Sequence, residues 1–260
     1  MRIGIFDSGL GGLIVARAVQ KAMPEYDYIY LGDTKRLPYG NKTQNEIYKN
    51  TIQALRYLFE KDCVLVVIAC NTASSQALRR VQQEWLPKSK YFDRKVLGVI
   101  RPTVEMVEKA RNIGLIGTLR TVDSTAYLQE LQKINKNIKL LAKATPKLVS
   151  MVESGKYEDE ILKNYLVPFK NVEILILGCT HFGMLKKEIQ NILGKKIKII
   201  AQEDILPGKL KSYLAKHKEI TKKLGKSKKF EILVTKSSRR YEKLSREWFG
   251  AKTKPKLINL

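Results

Sequence analysis

Two stretches of the chain share one layout: an apolar run, a small residue, a cysteine, two polar residues, then a segment of helical spacing. They are Val64-Leu65-Val66-Val67-Ile68-Ala69-Cys70-Asn71-Thr72 and Glu173-Ile174-Leu175-Ile176-Leu177-Gly178-Cys179-Thr180-His181. Unbroken apolar runs of this length predict strands buried on both faces. Further strands are expected at 2–6, 26–31, 95–100, 112–117, 138–142, 196–201 and 230–235. Helical spacing falls between them, most clearly over 44–61, where Ile47, Thr51, Leu55 and Leu58 recur on one face. Shorter helices are expected at 13–23, 74–85, 101–111, 146–153, 157–169, 183–193, 206–216 and 237–248. Strand and helix alternate throughout, as they do in a parallel, doubly wound sheet.

The pattern also repeats. Ile3-Gly4-Ile5-Phe6-Asp7-Ser8 and Ile113-Gly114-Leu115-Ile116-Gly117-Thr118 lie 110 positions apart, and Cys70 and Cys179 lie 109 apart. Two strand-end motifs recurring at nearly one offset predict a duplicated unit. The expected architecture is α/β, with two pseudo-symmetric doubly wound parallel-sheet domains and the active site in the cleft between them. Residues 1–94 and 209–260 would form the first domain, carrying Cys70, and 95–208 the second, carrying Cys179. Open α/β sheets bind ligands beyond the carboxyl ends of their strands, which puts both thiols at domain mouths.

Composition narrows the setting. No apolar run is long enough to span a membrane, and charge interrupts the opening stretch too soon for a signal peptide, so a cytoplasmic protein is expected. Three cysteines without a C-x-x-C pair fit a reducing compartment, and two histidines make a zinc site unexpected. Cys63, at the start of its apolar run, reads as a small core residue. The net charge of +24 draws anions. However, the lysines are dispersed, densest over 216–229, and aromatics do not alternate with them as on a base-stacking surface. Neither nucleic acid nor a membrane is therefore an expected partner, whereas anionic small substrates suit the charge.

The chemistry turns on the thiols. Each cysteine precedes a helix start, which lowers a thiol's pKa from about 8.5. His181 stands two residues beyond Cys179, and Asp7 at a neighbouring strand mouth. Asp7 either caps the helix that follows it or presents its carboxyl to the cleft, its glycine-rich loop matching neither dinucleotide nor P-loop spacing. Three schemes are open: one nucleophilic cysteine with a histidine base, a redox pair, or two acid/base thiols facing opposite sides of one carbon. Only the last uses the duplication, because inverting a stereocentre needs a proton donor and an acceptor on opposite faces.

Phe6-Asp7-Ser8-Gly9-Leu10-Gly11-Gly12, Pro38-Tyr39-Gly40, Cys70-Asn71-Thr72-Ala73-Ser74 and Leu177-Gly178-Cys179-Thr180-His181 closely resemble the signature motifs of bacterial glutamate racemases. Gly114-Leu115-Ile116-Gly117-Thr118 with Thr121 and Ser124, and Leu148-Val149 with Glu153 and Gly155, look like further segments of the same family. The resemblance implies cofactor-independent interconversion of L- and D-glutamate, supplying D-glutamate for peptidoglycan, with a homodimer as the expected assembly. It implies that Cys70 exchanges the α-proton on the D side and Cys179 on the L side. Asp7 and His181 would assist their thiols, with Glu153 nearby. Asp7, Ser8, Pro38, Tyr39, Gly40, Asn71, Thr72, Thr118, Thr121, Thr180 and His181 would hold the substrate. The chain departs from the family pattern at Phe182-Gly183-Met184-Leu185, where Tyr-Pro-Leu-Leu is usual. It departs again at Ala201-Gln202-Glu203-Asp204, where an Asp-Ser or Asp-Pro turn is usual, and at Arg101-Pro102.

Overall fold

Ten strands run in chain order in the computed structural model, which describes residues 1–251 and 253–260. They are β1 (Arg2–Asp7), β2 (Tyr28–Gly32), β3 (Cys63–Ile68), β4 (Lys95–Gly98) and β5 (Asn112–Gly117). Then follow β6 (Lys139–Ala144), β7 (Ile174–Gly178), β8 (Lys198–Ile200), β9 (Phe230–Val234) and β10 (Lys256–Leu257). They build one six-stranded sheet, β10-β9-β2-β1-β3-β4, and one four-stranded sheet, β6-β5-β7-β8. Every pairing is parallel. Helices cover both faces, which is why β3 and β7 are buried at every position and read as continuous apolar runs.

The duplication is visible in the register. Phe6 pairs with Ile68 where β1 meets β3, and Ile116 with Leu177 where β5 meets β7. These pairs reproduce the sequence offsets of 110 and 109. The orders β2-β1-β3-β4 and β6-β5-β7-β8 are the same path traced twice. β9 returns to β2 in the first sheet, as expected for the segment beyond the second copy.

One boundary differs from the sequence reading. Residues 95–98 were expected to open the second domain, but β4 pairs with β3, Val66 opposite Val96. The chain crosses between sheets after Gly98. An apolar strand carries no local mark of which neighbour it will choose, so alternation alone could not place that crossing. Lys252, inside the 209–260 range, lies outside the described residues.

Several helices are also shorter than expected. The 74–85 segment breaks into Asn71–Gln76, Leu78–Arg80 and a π-turn at Val81–Trp85, and the helix expected to reach 111 ends at Val104. Helix Gln44–Glu60 begins with a reciprocal cap, Thr43 to the Glu46 N–H and Glu46 back to Thr43, and buries Ile47, Thr51, Leu55 and Leu58. One apolar cluster joins the lobes, running from Ile3, Ile5 and Leu13 to Ile116, Phe182, Leu206 and Trp248. The two strand-end surfaces are thereby held face to face. No described helix is long and apolar enough to cross a membrane.

Candidate active site

Asp7 ends β1 and is 1% exposed. Its Oδ2 accepts the Gly9 N–H at 2.9 Å, and its Oδ1 accepts the Thr180 hydroxyl, from the other sheet, at 3.4 Å. Ser8 Oγ lies 3.3 Å from Cys70 Sγ. Cys70 follows β3 and caps helix Asn71–Gln76, its sulfur accepting the Ala73 N–H at 3.4 Å. Across the cleft, Cys179 Sγ lies 3.7 Å from His181 Nδ1, and His181 Nε2 lies 3.0 Å from Glu153 Oε1. The Ser8–Asp7 dipeptide thus bridges the surroundings of the two thiols, which are 5% and 7% exposed.

A second bridge is made of hydroxyls. Thr72 Oγ1 lies 2.9 Å from Thr118 Oγ1 and 3.4 Å from Thr121 Oγ1, and the latter two are 3.0 Å apart. Thr72 stands after β3, while Thr118 and Thr121 stand after β5, so this cluster also spans both sheets. Asn71 accepts the Tyr127 hydroxyl on Oδ1 at 2.6 Å, and its buried Nδ2 has no partner. A buried donor left unsatisfied costs about 1–3 kcal/mol, a cost that an incoming carboxylate would remove. Gly40 packs on Thr118, where a Cβ would meet the threonine Cβ at 3.1 Å.

Two expected residues sit differently. Pro38 is exposed, outside the buried cluster. Tyr39 is buried, but its hydroxyl donates to Asp33 Oδ2 at 2.5 Å. Asp33 is bound in turn by Arg36 and by the Thr235 hydroxyl.

Electrostatics distinguish the thiols. Cys70 was expected to have a lowered pKa, yet burial pushes it up to about 12. The Asp7 charge adds to that push, and the hydrogen bonds from Ser8 and Ala73 do not offset it. The Cys70 group is therefore a neutral thiol at pH 7. Burial alone would depress the His181 imidazolium, but its hydrogen bonds to Cys179 and Glu153 win and lift it to about 10. The raised pKa favours an imidazolium, 3.7 Å from the Cys179 sulfur. Burial raises the Asp7 carboxyl, against the His181 charge and the Gly9, Gly12 and Thr180 donors. Burial would also raise Glu153, but His181 and Arg240 hold it below the usual carboxylate range. Cys179, His181 and Glu153 form a relay in series, and among the described residues no three His, Cys, Asp or Glu side chains converge as metal ligands would.

Sequence reasoning missed four contributors. Arg240 approaches Glu153 Oε2 at 3.6 Å, and the Trp248 ring stands edge-on to His181 at 5.6 Å. Both belong to helix Arg239–Trp248, beyond the two repeats. Tyr127 orients Asn71, and Gly11 abuts Thr180 and His181. Only Gly11, inside the glycine-rich motif, has a local signal; the others have none, because each meets its partner across tens of residues of chain.

The motif departures at 182–185 and 201–204 prove to face each other. A Cβ at Gly183 would overlap Glu203 Oε1, while Glu203 Oε2 is buried without a partner and burial pushes its carboxyl up to about 7. The glycine leaves room for this carboxylate. Gly183→Ala is expected to displace Glu203 toward solvent and move its titration toward about 4.3, measured by carboxyl-carbon NMR; an unmoved titration would contradict the packing.

Comparison with known proteins agrees with this geometry. Residues 14–204 match the family described as Asp/Glu/Hydantoin racemase. The glutamate racemase of Aquifex aeolicus (strain VF5) is 37% identical over 267 residues, covering 100% of this chain and 98% of the relative. The glutamate racemase of Listeria monocytogenes serotype 4a (strain HCC23) is 35% identical, covering 95% and 94%. Among solved structures, the Francisella tularensis subsp. tularensis SCHU S4 glutamate racemase in complex with D-glutamate superposes with a TM-score of 0.88 at 31% identity, covering 99% and 97%. A glutamate racemase isoform from Bacillus anthracis superposes with a TM-score of 0.89 at 28% identity, covering 100% and 97%. Twin parallel sheets, paired strand-end cysteines and this full-length similarity lead to one conclusion: the chain belongs to the Asp/Glu/Hydantoin racemase family and is an enzyme, a racemase.

Proposed function

We propose that the protein interconverts L- and D-glutamate without a cofactor, Cys70 and Cys179 exchanging the α-proton on opposite faces of the substrate. The observation that carries this reading is the convergence of both sulfurs on one buried cluster through Ser8, Asp7 and Thr180. One thiolate withdraws the Cα proton, and the electron pair left at Cα spreads into the α-carboxylate. The opposite thiol then gives its proton to the other face. The product is the mirror-image amino acid, and the two sulfurs have exchanged protonation states. On motif grounds Cys70 serves the D face and Cys179 the L face.

The remaining residues prepare that transfer. Hydroxyls of Thr72, Thr118 and Thr121 and the free amide donor of Asn71 suit carboxylate groups, and they stabilise charge developing on the α-carboxylate. Ser8, Asp7, Thr180 and Gly40 complete the walls, and Tyr39 contributes through its backbone. Asp7 and His181 assist proton movement at the sulfurs, with Glu153 holding the His181 ring. In this reading the D-glutamate feeds peptidoglycan synthesis in the cytoplasm, and the working form is a homodimer.

The decisive test is incubation of each glutamate enantiomer in deuterated water without pyridoxal phosphate, with aspartate in parallel. Deuterium should enter Cα of glutamate and the enantiomers should equilibrate. No exchange with either enantiomer would end the proposal, and faster exchange into aspartate would reassign the substrate.

A pH profile tests the relay. His181 is held as a cation up to about pH 10, so kcat/KM should fall as pH rises through that value. Glu153→Gln removes a carboxylate that favours the cation, so the alkaline limb should move to lower pH. A limb that stays in place would show that His181 does not govern it.

A further inference from the structure

The densest charge in the chain lies over 216–229, where seven lysines stand against one acidic residue, Glu219. All seven are exposed, and Glu219 is taken by His217 at 3.1 Å. The segment is tied to the amino-terminal edge of the six-stranded sheet. Gly225 N–H donates to the Met1 carbonyl at 2.8 Å, and Asp27 N–H to the Gly225 carbonyl at 3.0 Å. Asp27 Oδ1 accepts the Lys229 N–H at 2.9 Å. Lys61, Lys88, Lys90 and Lys95 are exposed where β3 and β4 begin on this edge, and the Lys95 charge reaches Glu219. Three neighbouring acids are occupied: Asp62 faces the amino terminus and Arg94, Asp93 faces Arg94, and Glu60 accepts the Tyr91 hydroxyl. Phe92, between these lysines, is 70% exposed, the most exposed large hydrophobic residue among those described.

The active cleft lies at the carboxyl ends of the same strands, so this basic face is turned away from it. Catalysis does not account for the charge there. We propose that this face docks the protein on an anionic lipid bilayer, with the lysines over the headgroups and Phe92 seated among them. A planar anionic surface asks for diffuse positive charge and a small apolar anchor, and this face supplies both. Nucleic acid fits less well. The 216–229 segment contains no arginine, whose planar fork matches phosphate geometry, and one protruding phenylalanine makes no row of stacking platforms. Docking would leave the cleft open to soluble substrate.

Co-sedimentation of the full-length protein with phosphatidylcholine vesicles, with and without phosphatidylglycerol, tests this. A DNA duplex at matched phosphate concentration provides the third arm. Binding is expected to vesicles containing phosphatidylglycerol only, weakening as salt shortens the screening length from about 10 Å toward 3 Å. Reversing four charges (Lys222→Glu, Lys223→Glu, Lys228→Glu, Lys229→Glu) should weaken it by about tenfold or more. Phe92→Ser should weaken it several-fold at constant salt, with far-UV circular dichroism and racemization unchanged in both variants. Absence of vesicle binding, or vesicle binding indifferent to the charge reversal, would overturn the proposal. Tighter binding to the duplex than to the vesicles would overturn it in favour of nucleic acid.

Discussion

Alanine in place of either Cys70 or Cys179 is expected to abolish inversion while sparing one half of the proton chemistry. A positioned acid or base contributes about 10²–10⁴-fold, so racemization should fall by about 10³-fold or more in each variant. The sulfur that remains can still remove and return a proton on its own face. Cys70→Ala should therefore keep slow deuterium exchange into L-glutamate alone, and Cys179→Ala into D-glutamate alone. Proton NMR of the α-position in deuterated water separates the two, with chiral chromatography confirming retained configuration. Exchange with both enantiomers in either variant, or racemization within a few-fold of the parent, would remove the two-thiol mechanism.

The surroundings of the two sulfurs are unequal, and this has a consequence. Cys70 is a buried neutral thiol beside Asp7, whereas Cys179 faces the His181 cation and the Glu153–Arg240 pair behind it. The enantiomers have equal free energy, so kcat/KM must be the same in both directions. Inequality between the thiols can appear only in how each direction divides that ratio between kcat and KM. Arg240 is half-exposed, so its ion pair acts more on the orientation of Glu153 than on stability.

Much of this is legible in the sequence, because the signals are local. A buried parallel strand declares itself through an unbroken apolar run, and a duplicated unit through a constant offset, as Phe6–Ile68 and Ile116–Leu177 show. What was not legible depends on distant neighbours. β4 gave no sign that it would pair with β3, and the Tyr39 hydroxyl none that Asp33 would take it. The Cys70 pKa was misread for the same reason. The helix start is written in sequence, but burial beside Asp7 is not, and burial dominates. The departures at Gly183 and Glu203 read as two unrelated changes until their contact joined them.

Gly11 gives the strongest test of how tightly the lobes meet. It precedes helix Gly12–Ala22 with φ −55 and ψ −35, a conformation any residue adopts, so alanine there costs nothing in the backbone. The cost is steric. A Cβ would stand 2.5 Å from both Thr180 Oγ1 and His181 Nδ1, and these groups are 3% and 5% exposed. Neither can retreat freely, since Thr180 is bonded to Asp7 and His181 to Glu153. Gly11→Ala should therefore destabilise the fold by about 1–3 kcal/mol, the usual cost of overpacking. By shifting Cys179 and His181 relative to Cys70, it should also lower kcat by about 10²-fold, the penalty of a 1 Å misplacement. Gly208→Ala is the control: it lies in helix Gln202–Lys216 with nothing within 4 Å of the added methyl. That change should stabilise by about 0.5–1 kcal/mol and leave kcat alone. Urea unfolding and initial rates of both variants decide the matter. A Gly11→Ala enzyme with parental kcat and stability would mean that the cleft tolerates a methyl group between its walls, and the close approach of the two sheets would no longer explain how two sulfurs share one carbon.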